Sequence, residues 1–277
     1  FSLLAQSQSS HAQSTCEQSS GHIERHSYTA QAIAAEMFYT IYLPPCYEEA
    51  TQSYPILYLM HGSNTDDNHW LNLGLAEALD TGISSGNTPP LIVVLPFGNW
   101  VANENQFGTG SWGDIFLHQL MPLVERSYRV DGSADKRAIG GISRGGFWAF
   151  HLALRNPYLF NSVGGHSAFF DEYHAPEAYN PLDLALYAPG IESLRIWLDL
   201  GANDYAIDGL ELMHNQLERR NLPHSYTIYA EGHHDDLYWS QHINDYLDFY
   251  TAEWKTDLQP LVEASPSPPP TQETITD

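Results

Sequence analysis

Short apolar segments alternate with helical patterns along most of this chain, and this alternation constrains the fold more than any other feature. Helical periodicity occurs near 70–85, 113–127, 144–155, 208–220 and 237–254. Eight segments have the length and the β-branched or aromatic content of strands: 22–29, 37–43, 55–60, 91–95, 136–141, 162–166, 194–200 and 224–230. Apolar strands separated by helices pack into a mainly parallel sheet with helices on both faces. The sequence therefore predicts an α/β fold.

Both ends of the chain differ in composition from this alternating region. Residues 1–21 are polar and rich in Gln and Ser, and residues 257–277 include the Pro-rich stretch PSPPPTQETITD. The sequence between these two ends contains no second linker and no internal repeat. Residues 22–256 are therefore predicted to form one domain, followed by an extended tail. Segment 167–192 has no clear pattern and is predicted to be a loop or a small lid.

The charge of the chain disfavours several classes of partner. Lys and Arg total 11 of the 277 residues against 34 Asp and Glu, which gives a net charge of −23. Such a surface repels the phosphates of nucleic acids and anionic lipid headgroups. No run of 18 apolar residues is present that would span a membrane. We therefore expect neither a nucleic-acid nor a membrane partner, and the oligomeric state stays open.

Polar residues follow four of the predicted strands at the sheet edge where ligands bind in such folds. These groups are the sequence HGS at 61–63, Ser143, Asp204 and the histidine pair at 233–234. A serine, an aspartate and a histidine in this order, each after a different strand, match the chain order of the α/β-hydrolase triad. The predicted fold is therefore the α/β-hydrolase fold.

Ser143 lies at a strand-to-helix corner in the sequence GGISRGG. A nucleophile at such a corner has a strained backbone, and Gly141 and Gly145 remove side chains that would crowd the neighbouring strand and helix. The N–H of Arg144, at the helix N-terminus, would then face a developing oxyanion. Serine needs a histidine to accept its proton and a carboxylate to orient that histidine. Ser143 is accordingly predicted to be a nucleophile rather than an ordinary corner residue.

Seven motifs together resemble the esterase-D/feruloyl-esterase-like family of α/β hydrolases, which includes carbohydrate esterase family 1. They are IYLPPCY, YPILYLMHG, LIVVLPFGN, HQLMPLVERSYRV, GGISRGGFWAF, GANDY and GHHDDLYW, and they span roughly residues 37–250. The resemblance implies a serine esterase that needs no cofactor and no metal. It does not specify the substrate.

The resemblance also indicates the acid. The family has its carboxylate in a Gly-x-x-Asp turn after the penultimate strand, and Gly201 to Asp204 fits this pattern. The alternatives are Asp199, still inside the predicted strand, and Asp208, at the predicted N-cap of the next helix.

The base is indicated by a nearby tryptophan. The family has Gly-Gly-His with a Trp five residues later, and Trp239 selects His234 by this spacing. His233 occupies the position of the second glycine, so it stays as the alternative. A metal site built from the HHDD sequence is disfavoured because the side chains of adjacent residues diverge.

The remaining site predictions concern loops. The N–H of Ser63, or that of Gly62, is the candidate second donor to the oxyanion, and His61 is expected to brace this loop. Trp112 and Trp70 are candidates for lining the substrate cleft.

Cys16 and Cys46 are the only cysteines, and neither belongs to a C-x-x-C motif or a Cys/His cluster. We expect them to form a disulfide, with two free thiols as the alternative. The sequence begins at Phe1 without a methionine, as a mature sequence does after its signal segment is removed. Together these features favour a secreted or extracytoplasmic protein.

The predicted function is that of a serine carboxylic-ester hydrolase that works through an acyl-enzyme. The expected substrates are short or aromatic esters, of the acetyl or feruloyl type, of carbohydrate or related extracellular material. An acyltransferase on the same scaffold is the alternative, and a non-catalytic binding protein with this fold is disfavoured by the intact Ser143, Asp204 and His234.

Overall fold

The computed structural model describes residues 16–255, and within them it contains one eight-stranded sheet. The strands are β1 (His22–Ala30), β2 (Ala35–Leu43), β3 (Ile56–Met60), β4 (Ile92–Phe97), β5 (Arg137–Ile142), β6 (Ser162–His166), β7 (Arg195–Gly201) and β8 (Ser225–Tyr229). Their order in the sheet is β1-β2-β4-β3-β5-β6-β7-β8. β2 is antiparallel to both of its neighbours, and all the other pairs are parallel. The prediction of an α/β-hydrolase fold with eight strands is confirmed.

The α-helices are α1 (His69–Asn72), α2 (Leu75–Ser84), α3 (Trp112–Ile115), α4 (Met121–Ser127), α5 (Arg144–Arg155), α6 (Pro181–Tyr187), α7 (Ile207–Arg219), α8 (Asp236–Gln241) and α9 (Ile243–Thr251). Two predicted helices are divided. Gly74, with φ of 96°, separates α1 from α2, and His242 separates α8 from α9. A π-helical turn, Phe116–Leu120, joins α3 to α4.

Segment 167–192 is more ordered than the sequence predicts, because it contains α6. The Asn180 side chain accepts a hydrogen bond from the N–H of Leu182 at 3.1 Å and so caps the helix, and Pro181 occupies its first turn. α6 packs against α5 and α7. The segment from 167 to 180 is irregular and contributes to the cavity described below.

Apolar side chains cover both faces of the sheet. In β3, Ile56, Tyr58 and Met60 pack into one core, whereas Leu57 and Leu59 pack into the core on the opposite face. This alternation follows from the two-residue period of a strand. It explains why the central strands are continuously apolar in sequence.

Cys16 and Cys46 form a disulfide, as predicted, with their Cα atoms 5.8 Å apart. The bond fixes the segment before β1 to the loop that follows β2. Of the predicted terminal segments, residues 1–15 of segment 1–21 and the whole of segment 257–277 lie outside the described residues. Across residues 16–255, every helix is too short or too polar to cross a bilayer.

Candidate active site

Ser143 lies between β5 and α5 in a strained backbone conformation, with φ of 54° and ψ of −119°. A positive φ is costly for a residue with a side chain and persists only where the surroundings enforce it. The glycines of the motif allow the close packing that does so. A Cβ atom on Gly145 would lie 2.4 Å from the Met60 carbonyl oxygen, and one on Gly141 would lie 2.4 Å from the carbonyl carbon of Gly145. The helix therefore meets the sheet backbone to backbone, and Ser143 stands at the corner.

Three side chains predicted from separate strand ends form one hydrogen-bonded chain. His234 Nε2 lies 2.9 Å from Ser143 Oγ, and His234 Nδ1 lies 2.9 Å from Asp204 Oδ1. A carboxylate only accepts hydrogen bonds, so Nδ1 carries the proton and Nε2 presents its lone pair to the Ser143 hydroxyl. This is the tautomer that a histidine needs to accept a proton from serine.

The loops that carry Asp204 and His234 approach each other at two glycines. A Cβ atom on Gly201 would lie 2.4 Å from the carbonyl oxygen of Gly232, and Gly232 has φ of 112°. Asp204 is 2% exposed, and its Oδ1 also accepts the N–H of Ala206 at 2.8 Å. The carboxylate is therefore held firmly beside the imidazole.

The two adjacent histidines point in different directions. His234 is half-buried between two aromatic rings, with its centroid 4.2 Å from that of Tyr205 and 5.1 Å from that of Trp239. His233 is exposed, and its carbonyl oxygen accepts the N–H of Asp235. The spacing from Trp239 therefore selects the histidine that contacts Ser143.

Asp199, an alternative acid, belongs to a separate buried network. Its Oδ1 lies 2.5 Å from His166 Nδ1, and its Oδ2 accepts hydrogen bonds from the hydroxyls of Tyr238 at 2.7 Å and Tyr246 at 3.3 Å. His166 Nε2 in turn contacts the Tyr250 hydroxyl at 2.8 Å. Both members of the Asp199–His166 pair are fully buried, and neither lines the cavity that contains Ser143.

Asp208, the other alternative acid, lies in the first turn of α7. The N-cap of this helix is Ala206, so the prediction that Asp208 caps it is wrong. The residues between Asp204 and α7 form a turn in which the Ile207 N–H bonds to the Asp204 carbonyl oxygen, and this places the helix start one residue before Asp208.

His61 braces the loop after β3, as predicted. Its Nε2 accepts the N–H of Gly98 at 3.1 Å, so its Nδ1 carries the proton and donates to the Gly62 carbonyl oxygen at 2.7 Å. Burial lowers the pKa of His61, which favours this neutral form. Since the N–H of a trans peptide points away from its C=O, the Ser63 N–H is directed away from His61. Within residues 16–255, neither the Ser63 N–H nor the Arg144 N–H donates a hydrogen bond to another group.

The serine lies in an open cavity of about 570 Å³. The cavity is lined by Gly62, Ser63, Asn64, Thr65, His69, Asn103, Ser143, Arg144, Phe169, His174, Tyr205, His234, Asp236 and Trp239. All the predicted catalytic and oxyanion residues except the buried Asp204 are in this set. No role was predicted for Asn103, the last residue of a 3₁₀-helical turn, for His174, in the irregular segment 167–180, or for Tyr205, the last residue of the GANDY motif.

The prediction that Trp112 and Trp70 line the cleft is not met. Trp112 is 2% exposed and packs edge-on against Phe116. Trp70 is 1% exposed, and its Nε1 donates to the Met60 carbonyl oxygen at 3.1 Å. Trp112 is the first residue of α3 and Trp70 is the second residue of α1, and both rings belong to the hydrophobic core instead of facing the cavity.

Comparison with known proteins agrees with this architecture. The family model described as "Putative esterase" matches residues 30–260. The chain belongs to this esterase family.

An esterase of Mycobacterium tuberculosis strain H37Rv is 32% identical over 134 residues, which cover 46% of this chain and 28% of that protein. An endo-1,4-beta-xylanase/feruloyl esterase of Xylanibacter ruminicola is 26% identical over 155 residues, or 52% of this chain and 21% of that protein. The chain thus spans less than a third of the length of either relative.

Solved structures show the same fold as this chain. A ferulic acid esterase matches with a TM-score of 0.77 and 23% identity, covering 84% of this chain and 98% of the other. An S-formylglutathione hydrolase of Staphylococcus aureus matches with a TM-score of 0.70 and 19% identity, covering 83% and 99%.

The side chain of Arg144 shapes one wall of the cavity that contains Ser143. Its Nε donates to the Ala102 carbonyl oxygen at 2.9 Å, and its Nη2 donates to the Glu104 carbonyl oxygen at 2.8 Å. These bonds hold the loop that carries Asn103. Burial lowers the pKa of Arg144 to about 10, and burial together with the Arg144 charge lowers the pKa of His174 to about 4. Near neutral pH, His174 therefore presents an uncharged ring to the cavity.

Proposed function

We propose that this chain is a serine carboxylic-ester hydrolase that forms an acyl-enzyme on Ser143. The observation that carries the proposal is the hydrogen-bonded chain from Asp204 through His234 to Ser143, at the wall of an open cavity. Membership of the esterase family supports the same conclusion.

In the first half of the reaction, Ser143 Oγ attacks the ester carbonyl carbon while its proton passes to His234 Nε2. The N–H groups of Arg144 and of Ser63 or Gly62 stabilise the negative charge that develops on the carbonyl oxygen. The tetrahedral intermediate then expels the alcohol, which takes the proton from His234. In the second half, His234 removes a proton from water as the water oxygen attacks the acyl-enzyme. The bond between the acyl carbon and Ser143 Oγ then breaks, Ser143 takes the proton back from His234, and the acid is released. Asp204 keeps the imidazole in the required tautomer and stabilises its charged form.

A fluorophosphonate probe tests the nucleophile directly. We expect one equivalent to label Ser143, as read by peptide mass spectrometry, and we expect Ser143→Ala to abolish both labelling and hydrolysis of p-nitrophenyl acetate. Ser240→Ala is a matched control, because within residues 16–255 the Ser240 hydroxyl bonds only the Leu237 carbonyl oxygen, at the surface of α8. Labelling at another serine, or turnover above a few per cent in Ser143→Ala, would contradict the proposal.

For the substrate, we propose a compact acyl group, short or aromatic, esterified to a carbohydrate or a related extracellular alcohol. The cavity has the size of a small-molecule site. The rings of Phe169, Tyr205 and Trp239 line it and offer surfaces on which a flat acyl group can stack. The disulfide is of the kind that persists in oxidising compartments, which supports a role outside the cytoplasm.

A chain-length series tests this specificity. We expect kcat/KM for p-nitrophenyl esters to fall from acetate or butyrate towards laurate, and we expect methyl ferulate to be hydrolysed. An optimum at twelve carbons or more, without activity on short or aromatic esters, would refute the proposed substrate class.

Product analysis with an added alcohol acceptor distinguishes hydrolysis from acyl transfer, since only a transferase would yield mainly the new ester.

A further inference from the structure

A cluster of metal-binding side chains lies apart from the esterase site, where α7 leads into β8. His214 and Glu218 are one helical turn apart on α7, and His224 immediately precedes β8. One nitrogen or oxygen atom from each of the three lies within 4.8 Å of the others. None of the three lines the cavity that contains Ser143.

The hydrogen bonds of His224 direct a lone pair into this cluster. Its Nδ1 lies 2.8 Å from the Leu222 carbonyl oxygen, which only accepts, so Nδ1 carries the proton and Nε2 does not. That Nε2 lies 2.7 Å from Nδ1 of His214. A second ring nitrogen bonded to a backbone carbonyl is the usual arrangement of a metal-ligating histidine, because it fixes the tautomer and the ring orientation.

Two nitrogen atoms at this separation need a cation or a proton between them. In the metal-free protein, His214 Nδ1 supplies the proton. If that proton moves to Nε2 of the same ring, both facing nitrogens present lone pairs to one point. Tetrahedral Zn²⁺ with bonds of about 2.0–2.1 Å would separate the two nitrogens by roughly 3.3 Å, so the rings need to part by only about 0.6 Å.

The surroundings favour a cation. Within residues 16–255, Glu218 forms no ion pair, so its carboxylate is free to become a ligand. The His214 ring is stacked on Tyr226 at a centroid distance of 4.6 Å, which limits its movement. The net charge of −23 raises the concentration of cations near the surface. Two imidazoles and a carboxylate are a common ligand set for zinc and similar divalent ions.

We propose that His214, Glu218 and His224 bind a divalent transition-metal ion of the Zn²⁺ class, with water completing the coordination. Because β8 is the edge strand of the sheet, the bound ion would cross-link α7 to the strand that terminates the sheet. The proposed role is structural and does not depend on the catalytic proposal.

Zinc titration of the full chain tests the site. We expect isothermal titration calorimetry to give one equivalent that is lost in His214→Ala and in His224→Ala, and bound at least tenfold more weakly by Glu218→Gln. His118→Ala is the matched control. His118 is an exposed helical histidine that also contacts a carboxylate four residues away, Asp114, but it lacks a third ligand, so its loss is expected to leave the titration unchanged.

Histidine NMR makes the test specific to the site. With labelled imidazoles, we expect the signals of His214 and His224 to move on Zn²⁺ addition, and we expect the thermal midpoint of the wild type to rise in Zn²⁺ by more than that of His214→Ala. The proposal is wrong if these two signals stay in place, or if His214→Ala and His224→Ala bind as many equivalents as the wild type with the same affinity.

Discussion

Asp199 and Asp204 lie five residues apart, and each bonds to a histidine, yet the structure predicts opposite consequences when each is replaced by asparagine. Asp204 contacts His234 beside Ser143, whereas Asp199 contacts His166 in the core. We expect Asp204→Asn to reduce kcat by about 10⁴ with little effect on stability, because the amide favours the wrong imidazole tautomer. We expect Asp199→Asn to leave kcat within tenfold at 20 °C and to lower stability strongly.

The magnitude for Asp199→Asn follows from its hydrogen bonds. Oδ2 accepts bonds from Tyr238 and Tyr246, and an amide in place of the carboxylate removes the charge and replaces one of the two acceptor oxygens with an NH₂ donor. Hydrogen bonds to a charged group contribute about 1.5–3 kcal/mol each, so two of them amount to about 3–6 kcal/mol. This range overlaps the 3–5 kcal/mol lost on breaking a buried ion pair. At about 2–4 °C per kcal/mol for a domain of this size, the thermal midpoint should fall by roughly 6–24 °C.

Urea unfolding followed by tryptophan fluorescence, with p-nitrophenyl acetate kinetics on the same preparations, measures both quantities. The interpretation fails if Asp199→Asn is destabilised by less than about 1 kcal/mol, because the three bonds to its carboxylate would then contribute almost nothing. It also fails if Asp204→Asn keeps more than a tenth of the wild-type kcat.

Three further predictions follow from the structure. His234→Ala should lose several orders of magnitude in kcat, whereas the exposed His233→Ala should lose far less. If steady-state kinetics give the reverse order, the assignment of His234 as the base is wrong. Reduction of the Cys16–Cys46 bond should lower the free energy of unfolding by about 3.6 kcal/mol, the entropy of a loop with a sequence separation of 30, and denaturation with and without reductant measures this value. Gly145→Ala should lower the free energy of unfolding by about 1–3 kcal/mol or more, because its Cβ would lie 2.4 Å from a backbone oxygen of β3; a thermal midpoint equal to that of the wild type would refute this packing.

The sequence by itself determined the strands and the residues at their ends. The central strands are buried on both faces, so they appear as continuous apolar runs that can be recognised without knowledge of their partners. The corner at Ser143 is equally local, because the glycines that permit it lie within two residues of the serine. Residues at successive parallel strand ends share one edge of the sheet, so the proximity of Ser143, Asp204 and His234 followed from topology.

Only the tertiary structure decided which side chains face the cavity. Trp112 and Trp70 resemble cleft residues in sequence, but both rings are buried in the hydrophobic core. His174 belongs to the irregular segment 167–180, and Tyr205 lies in the turn between Asp204 and α7; both line the cavity, although neither position has a periodic pattern that shows where its side chain points. Their positions depend on contacts between residues far apart in the chain, and no local pattern of residues records such contacts.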